Sequence, residues 1–297
     1  MKILLLFNPH AAYGRAAKLL PEILKRFEEK EIEVELLKTE ARGHACQLAA
    51  DADLSAYDGL IAAGGDGTLY EVINGYYRND SPEKIPLGVL PTGTGNAFAR
   101  ELDLQASDWE KAIDIISVQK KKKIDVGHYL CEGKDFYYLN ILGLGFVSDV
   151  SSIAQKFKIF GNTAYTLGVL YQLIFLKTHH LKMEIDGRSI ERENIFVEIS
   201  NTRYTGTSFL MAPQAEIDDG YLDITLLDKK TRRGILKIFP TIFDGSHVEK
   251  EGVETFRARH LKIETEPIKI LTPDGELTGQ TPIEVHCLPQ DVEIFWT

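Results

Sequence analysis

Leu60-Ile61-Ala62-Ala63-Gly64-Gly65-Asp66-Gly67-Thr68-Leu69-Tyr70 reads as a strand, a glycine turn and the start of a helix. Leu60 to Ala63 is a short apolar run, and Leu69, Val72, Ile73, Tyr76 and Tyr77 then recur at helical spacing. Glycines lack a Cβ, so the turn backbone can approach a bulky anion closely. The helix that follows aims its free N–H groups and positive dipole end at the same point, an arrangement that binds phosphate. Asp66 repels phosphate unless a cation lies between them, so the stretch points to a nucleotide phosphate tail with Mg²⁺. Asp-Gly between apolar residues is also a hairpin signal. The helical rather than alternating spacing after Thr68 decides against it.

Upstream, residues 3 to 7 form a continuous apolar strand, and Ala16, Leu19, Leu20, Ile23, Leu24 and Phe27 fall on one helical face. Ile32, Val34 and Leu36 alternate as a second strand with Thr39 at its end, and residues 44 to 51 read as helix. Downstream, residues 68 to 78 form the helix after the glycine turn and Ile85 to Leu90 a fourth strand. Pro91-Thr92-Gly93-Thr94-Gly95-Asn96 follows, then helix from Ala97 to Leu102. Ser107 with Glu110 has capping-box spacing ahead of Trp109, Ala112, Ile113 and Ile116. The alternation predicts an α/β layer with a mainly parallel sheet. Ligands in such sheets lie beyond the carboxyl ends of the strands. Asn8, Thr39, Gly64 to Thr68 and Thr92 to Asn96 all sit there.

The pattern changes at Gln119-Lys120-Lys121-Lys122-Lys123, a run read as a solvated linker or strand edge, with a lipid-headgroup patch as the alternative. Residues 1–122 are therefore assigned to a nucleotide-binding α/β domain and residues 123–297 to a β-sandwich acceptor domain. In the second, Ile195, Val197 and Ile199 take one face of a strand, and Leu222, Ile224 and Leu226 another. Leu261 with Ile263, Ile268 with Ile270, Ile283 with Val285 and Cys287, and Val292 with Ile294 continue the pattern. Turn signals intervene at Asp186-Gly187, Asp219-Gly220, Asp274-Gly275 and Pro289. Residues 153–176 break it with an apolar, near-helical stretch flanked by cations. It reads as a helix packed on the sandwich, with a membrane-surface segment as the alternative.

With 34 Lys and Arg against 44 Asp and Glu, the net charge of −10 argues against a nucleic-acid partner. Cys46, Cys131 and Cys287 are too dispersed for a disulfide framework or zinc site. No run is long and uncharged enough to span a bilayer. The expected location is cytoplasmic, with peripheral contact at the inner membrane surface. The oligomeric state, a homodimer included, stays open.

The two glycine loops together resemble the diacylglycerol kinase catalytic family, specifically its bacterial lipid kinases related to sphingosine kinases. The resemblance extends to Asn8-Pro9, Asp125-Val126-Gly127, Asn140, Gly143-Leu144-Gly145-Phe146, Ala212-Pro213, Asp218-Asp219-Gly220 and Asp274-Gly275-Glu276. It implies ATP-dependent transfer of a phosphoryl group to a lipid hydroxyl, with diacylglycerol the leading acceptor. Gly64, Gly65, Asp66, Gly67, Thr68, Leu69 and Tyr70 would hold the nucleotide phosphates, with Asn8, Thr39, Thr94, Gly95 and Asn96 around them. Asp66 would organise Mg²⁺ through water, and Glu276 matches the family's general base. Asp219, with the backbone oxygens of Glu216 and Tyr221, matches a structural metal site.

Basic residues near the first loop are thin: His10 and Arg15 are nearest, and Arg100 and Arg203 cannot be placed by spacing. GGDGT is also shared with NAD kinases. The competing readings are a kinase of a soluble acceptor such as NAD, and a nucleotide-sensing module without turnover.

Overall fold

The computed structural model describes residues 1–105, 107–146, 148, 177–206 and 209–297. The expected apolar segment at 153–176 lies outside the described residues. The chain divides into two compact units, Met1–Ile124 with Gln290–Thr297, and Asp125–Pro289.

In the first unit, strands β1 (Lys2–Phe7), β2 (Glu33–Lys38), β3 (Gly59–Gly64) and β4 (Leu87–Pro91) alternate with helices α1 (Ala16–Glu29), α2 (His44–Asp51), α3 (Asp66–Arg78) and α4 (Trp109–Val118). The strands lie parallel in the order β4-β3-β1-β2. β1 from Ile3 onward and β3 carry no polar side chain and are buried along their length, as a sheet covered on both faces requires. The N-cap of α4 is Asp108 rather than the expected Ser107. The Asp108 carboxylate accepts from Gln105 N at 3.1 Å and pairs with Lys111 at 3.3 Å, so the turn closes one residue later than the capping-box spacing suggests.

The second unit is mostly antiparallel. It contains β5 (Lys121–Cys131), which starts in the first unit, β6 (Lys134–Tyr138), β7 (Ile141–Gly145), β8 (His179–Ile185) and β9 (Arg188–Ser200). A short pair, β10 (Tyr204–Thr205) and β11 (Phe209–Leu210), precedes β12 (Leu222–Asp228) and helix α5 (Arg232–Ile238). β13 (Val253–Ala258), β14 (His260–Glu266), β15 (Leu271–Pro273) and β16 (Ile283–Phe295) complete it. β9 is central: β12 lies along one edge, while β8 and then β7 line the other. Asp186-Gly187 makes the β8–β9 hairpin with φ of 46° and 85°, the left-handed pair that an Asp-Gly turn supplies.

Two expectations need correction and one is decided between its alternatives. The assignment of residues 123–297 to one domain fails at its end. Gln290–Thr297 packs with the first unit, because Ile294 pairs in parallel with Leu87 and Trp296 N donates to Lys120 O at 2.9 Å. Of the two readings of the lysine run, strand rather than linker holds: Lys121 opens β5, Lys120, Lys121 and Lys123 are exposed, and Lys122 lies over the Trp296 ring at 4.6 Å. Ile268 and Ile270 are exposed, and Lys269 between them is the buried residue. Lys269 N donates to Thr281 Oγ1 and Thr281 N donates back to Lys269 O, which sets that face inward.

Candidate active site

The parallel register brings the strand ends of the first unit level. Phe7 lies opposite both Lys38 and Ala63, and Gly64 opposite Pro91. Asn8, Thr39, Gly65 and Thr92 are each the residue just beyond a strand. Asn8 Nδ2 donates to Thr68 Oγ1 at 3.0 Å, Asn8 N to Ala63 O at 2.9 Å, and Thr39 N to Phe7 O at 2.9 Å. The loop after Thr39 is fixed from α3: the Glu71 carboxylate accepts from Gly43 N at 2.7 Å and Ala45 N at 3.1 Å.

The two glycine loops interlock. Thr92 N and Gly93 N both donate to Gly64 O, at 3.1 and 2.9 Å. A Cβ on Gly93 would collide with the backbone of Gly65, so the approach needs glycine. Asn96, at φ 51°, donates from Nδ2 to Gly93 O at 2.8 Å. Thr94 and Gly95 lie between these anchors. Asp66 closes the assembly: its Oδ1 accepts from Ala97 N at 2.7 Å and Phe98 N at 3.4 Å. A Cβ on Gly95 would come within 2.6 Å of Asp66 Oδ2.

Asp66 is half-buried as a residue, but its carboxyl group is turned inward. Burial pushes the carboxyl up to about 6, against the pull of the Phe98 and Ala97 N–H groups and of Arg100. Spacing could not place Arg100; the fold sets it on the helical turn Phe98–Leu102, where its charge acts on Asp66. A carboxylate enclosed this way is under-compensated, and a cation at its second oxygen would offset that cost. Leu69 and Tyr70 are buried side chains of α3, and Thr68 N and Leu69 N both turn back to Gly65 O.

In the second unit the late motifs share one buried polar network. Asp125 Oδ2 accepts from Gly220 N at 2.6 Å, which fixes the Asp218-Asp219-Gly220 turn. Asn201 Nδ2 donates to Asp125 O and Leu139 O, each at 2.9 Å. Asp274 accepts three N–H groups, from Leu139 at 3.1 Å and from Asn140 and Ile141 at 3.0 Å. Asp274 and Gly275, at φ 46° and 83°, then turn the chain and present Glu276 at a partly exposed position. Glu276 N is held by Pro273 O at 2.7 Å.

Asp219 Oδ1 accepts from Tyr221 N at 2.9 Å, and its Oδ2 pairs with Arg257. The Arg257 and Arg259 guanidinium groups lie over the Tyr221 ring at 4.8 and 4.6 Å. Asp223, which sequence reasoning missed, is pushed up to about 6 by burial and then by Glu216. Carboxylate oxygens are the hard donors that Mg²⁺ or Ca²⁺ takes, but Glu216, Asp219 and Asp223 do not form a close cluster of side-chain donors among the described residues, and a cation on Asp219 Oδ2 has to displace Arg257. His260, Glu284 and His286 on β14 and β16 have donor atoms within 4.8 Å of one another. That trio lies outside every motif above.

The second unit also carries a partly open, mostly apolar pocket. Phe146, Phe196, Phe209, Met211 and Ile235 are among its walls. The glycine-loop strand ends, the buried polar turns and this pocket define a class: a two-unit phosphotransferase.

Comparison with known proteins narrows the class. Residues 2–129 match the diacylglycerol kinase catalytic domain, and residues 140–296 match the YegS C-terminal NAD kinase beta sandwich-like domain. A diacylglycerol kinase of Mycobacterium tuberculosis (strain CDC 1551 / Oshkosh) is 30% identical over 99% of this chain and 94% of its own length. A diacylglycerol kinase of Bacillus subtilis (strain 168) is 30% identical over 98% of this chain and 94% of its own. A solved structure from Bacillus anthracis str. Sterne is similar with a TM-score of 0.81 at 27% identity, covering 100% of this chain and 97% of that one. The chain belongs to the diacylglycerol kinase family.

Proposed function

We propose that the protein transfers the γ-phosphoryl group of ATP to the hydroxyl of a neutral long-chain lipid, with diacylglycerol the leading acceptor. The observation that carries the acceptor is the apolar pocket. A soluble dinucleotide acceptor needs several polar groups for ribose and base, whereas these walls are phenylalanine, methionine and aliphatic side chains apart from Glu198 and Thr205. Such a substrate resides in a membrane, so the enzyme meets it at the surface. No helix among the described residues is long and apolar enough to cross a bilayer.

In this reading the Gly64–Thr68 backbone, with Asn8, Thr39, Thr94, Gly95 and Asn96 around it, orients the phosphate tail. Phosphoryl transfer depends on positioning and charge neutralisation more than on covalent chemistry. Mg²⁺ supplies that neutralisation when bound, and Asp66 is the residue that would hold it. Glu276 accepts the proton of the lipid hydroxyl as the new bond forms. Asp274 positions Glu276 by fixing the turn that carries it. Asp219, with the backbone oxygens of Glu216 and Tyr221, holds a second cation that pins the turn after Asp218.

The test incubates the protein with labelled ATP, Mg²⁺ and mixed micelles of diacylglycerol, with NAD in a parallel reaction. Label in the lipid phase is expected. Label in NAD with none in any lipid sinks the proposal, and no transfer to either leaves only nucleotide binding.

A further inference from the structure

Glu198 is the one acidic side chain in the wall of the apolar pocket. It is 1% exposed, and its Oε1 has no hydrogen-bond partner among the described residues. Its place on β9 explains why solvent cannot reach it. Thr225 of β12 lies across one edge and Gly143 of β7 across the other. Phe196, two residues earlier on the same face of the strand, lines the same pocket.

Orphaned buried polar atoms are rare, and each costs free energy that something must offset. Among the described residues nothing offsets it. Among the described residues, the only other hydroxyl or charged group lining the pocket is Thr205. Burial alone pushes the Glu198 carboxyl up to about 8, with no neighbouring charge contributing. The group is therefore mostly the neutral acid near pH 7, with an O–H to donate and no acceptor to receive it.

We propose that Glu198 is the polar anchor of the acceptor pocket, donating a hydrogen bond to an acyl ester carbonyl, so that the pocket selects esterified glycerolipids over ether or amino-alcohol lipids of equal chain length. The inference rests on the lipid-acceptor reading above and adds the chemical class. An ester carbonyl sits where an apolar chain begins, accepts a hydrogen bond and carries no charge. An ether oxygen is a poorer acceptor in a different place. A lipid ammonium would force Glu198 to ionise inside an apolar wall, and such a buried ion pair often does no better than break even.

The experiment compares a diacylglycerol, the dialkylglycerol with the same chains and hydroxyl but no carbonyls, and a long-chain amino alcohol. Each displaces a fluorescent lipid from the whole protein in the absence of ATP, and each is also assayed for turnover. Wild type is expected to bind the diester about ten-fold more tightly than the diether, the size of one well-made neutral hydrogen bond. Glu198→Gln keeps an N–H donor and should retain most of that preference. Glu198→Leu should bring the ratio to about one, while circular dichroism shows the fold intact and Thr205→Val leaves the ratio unchanged. An unchanged ratio in Glu198→Leu, or a preference for the amino alcohol, overturns the proposal and leaves an enclosed water as the partner of Glu198. Equal turnover of diester and diether by wild type overturns the anchor but not the kinase. The expected binding ratio without turnover of any lipid sustains the anchor and sinks the kinase.

Discussion

Asp66→Asn should leave a protein that folds at least as well as wild type and turns over very little. The carboxyl is raised from 3.8 to about 6, with burial as the largest cause. A raised acid favours folding most when it is neutral. Its contribution is fully present below about pH 3.8 and is lost as pH rises through about 6. Each pK unit corresponds to ~1.4 kcal/mol, so wild type gives up ~3 kcal/mol by pH 7.5, about half of it between pH 5 and 7.5. Asparagine has the same shape, keeps an acceptor for Ala97 N and Phe98 N, and carries no charge to desolvate. Urea unfolding at pH 5, 6 and 7.5 reads the difference directly. The variant's advantage should grow with pH by ~1.5 kcal/mol over that range. With Mg²⁺ and ATP at a hundred times Kd, wild type should gain ~2.7 kcal/mol and the variant much less. A variant less stable than wild type by a pH-independent amount would refute the reasoning. It would mean that the charge, through Arg100 or the two N–H groups, holds the loops together.

Glu276→Gln should lower kcat by a factor of roughly 10² or more and leave KM for ATP nearly unchanged, as expected for loss of a proton acceptor. A steady-state assay with diacylglycerol shows it, and a pure KM effect demotes Glu276 to binding. Asp274→Ala strands three N–H groups inside the second unit and should cost ~3 kcal/mol or more in urea unfolding. A loss under ~1 kcal/mol would mean that water replaces the carboxylate. Arg257→Ala frees Asp219 Oδ2, and titration calorimetry should then show tighter Mg²⁺ or Ca²⁺ uptake. Equal uptake by wild type and variant removes Asp219 as a cation ligand.

The α/β unit was legible because its signals are local. Apolar runs at 3–7 and 60–63 and the helical repeats between them are facts of sequence distance under five, and parallel register then levels the strand ends. What escaped is tertiary. That Asp66 caps the turn at Ala97, or that Gly93 must be bare because Gly65 lies against it, depends on β3 and β4 being neighbours. Asp274 read as an ordinary turn residue because its three donors lie more than 130 residues away. Glu198 was hidden by a pattern that was only half right. The alternation of Ile195, Val197 and Ile199 marks one inner face, but residues 194–200 are all buried, so the opposite face is covered as well. The signal that could have found it is the acid itself: a lone Glu in Ile-Phe-Val-Glu-Ile-Ser, where a half-exposed strand normally carries several polar residues.

The return of Gln290–Thr297 to the first unit has a consequence for biosynthesis. The sheet edge at Leu87 leaves the ribosome about 200 residues before Ile294, the strand that pairs with it. At typical elongation rates that is a wait of ~10–40 s, with the whole second unit made in between. During that interval the nucleotide-binding unit is a nascent domain with an open β-edge, and its closure is ordered after synthesis of its neighbour. Timing of translation, as well as sequence, thus enters the folding of the unit that carries the two glycine loops.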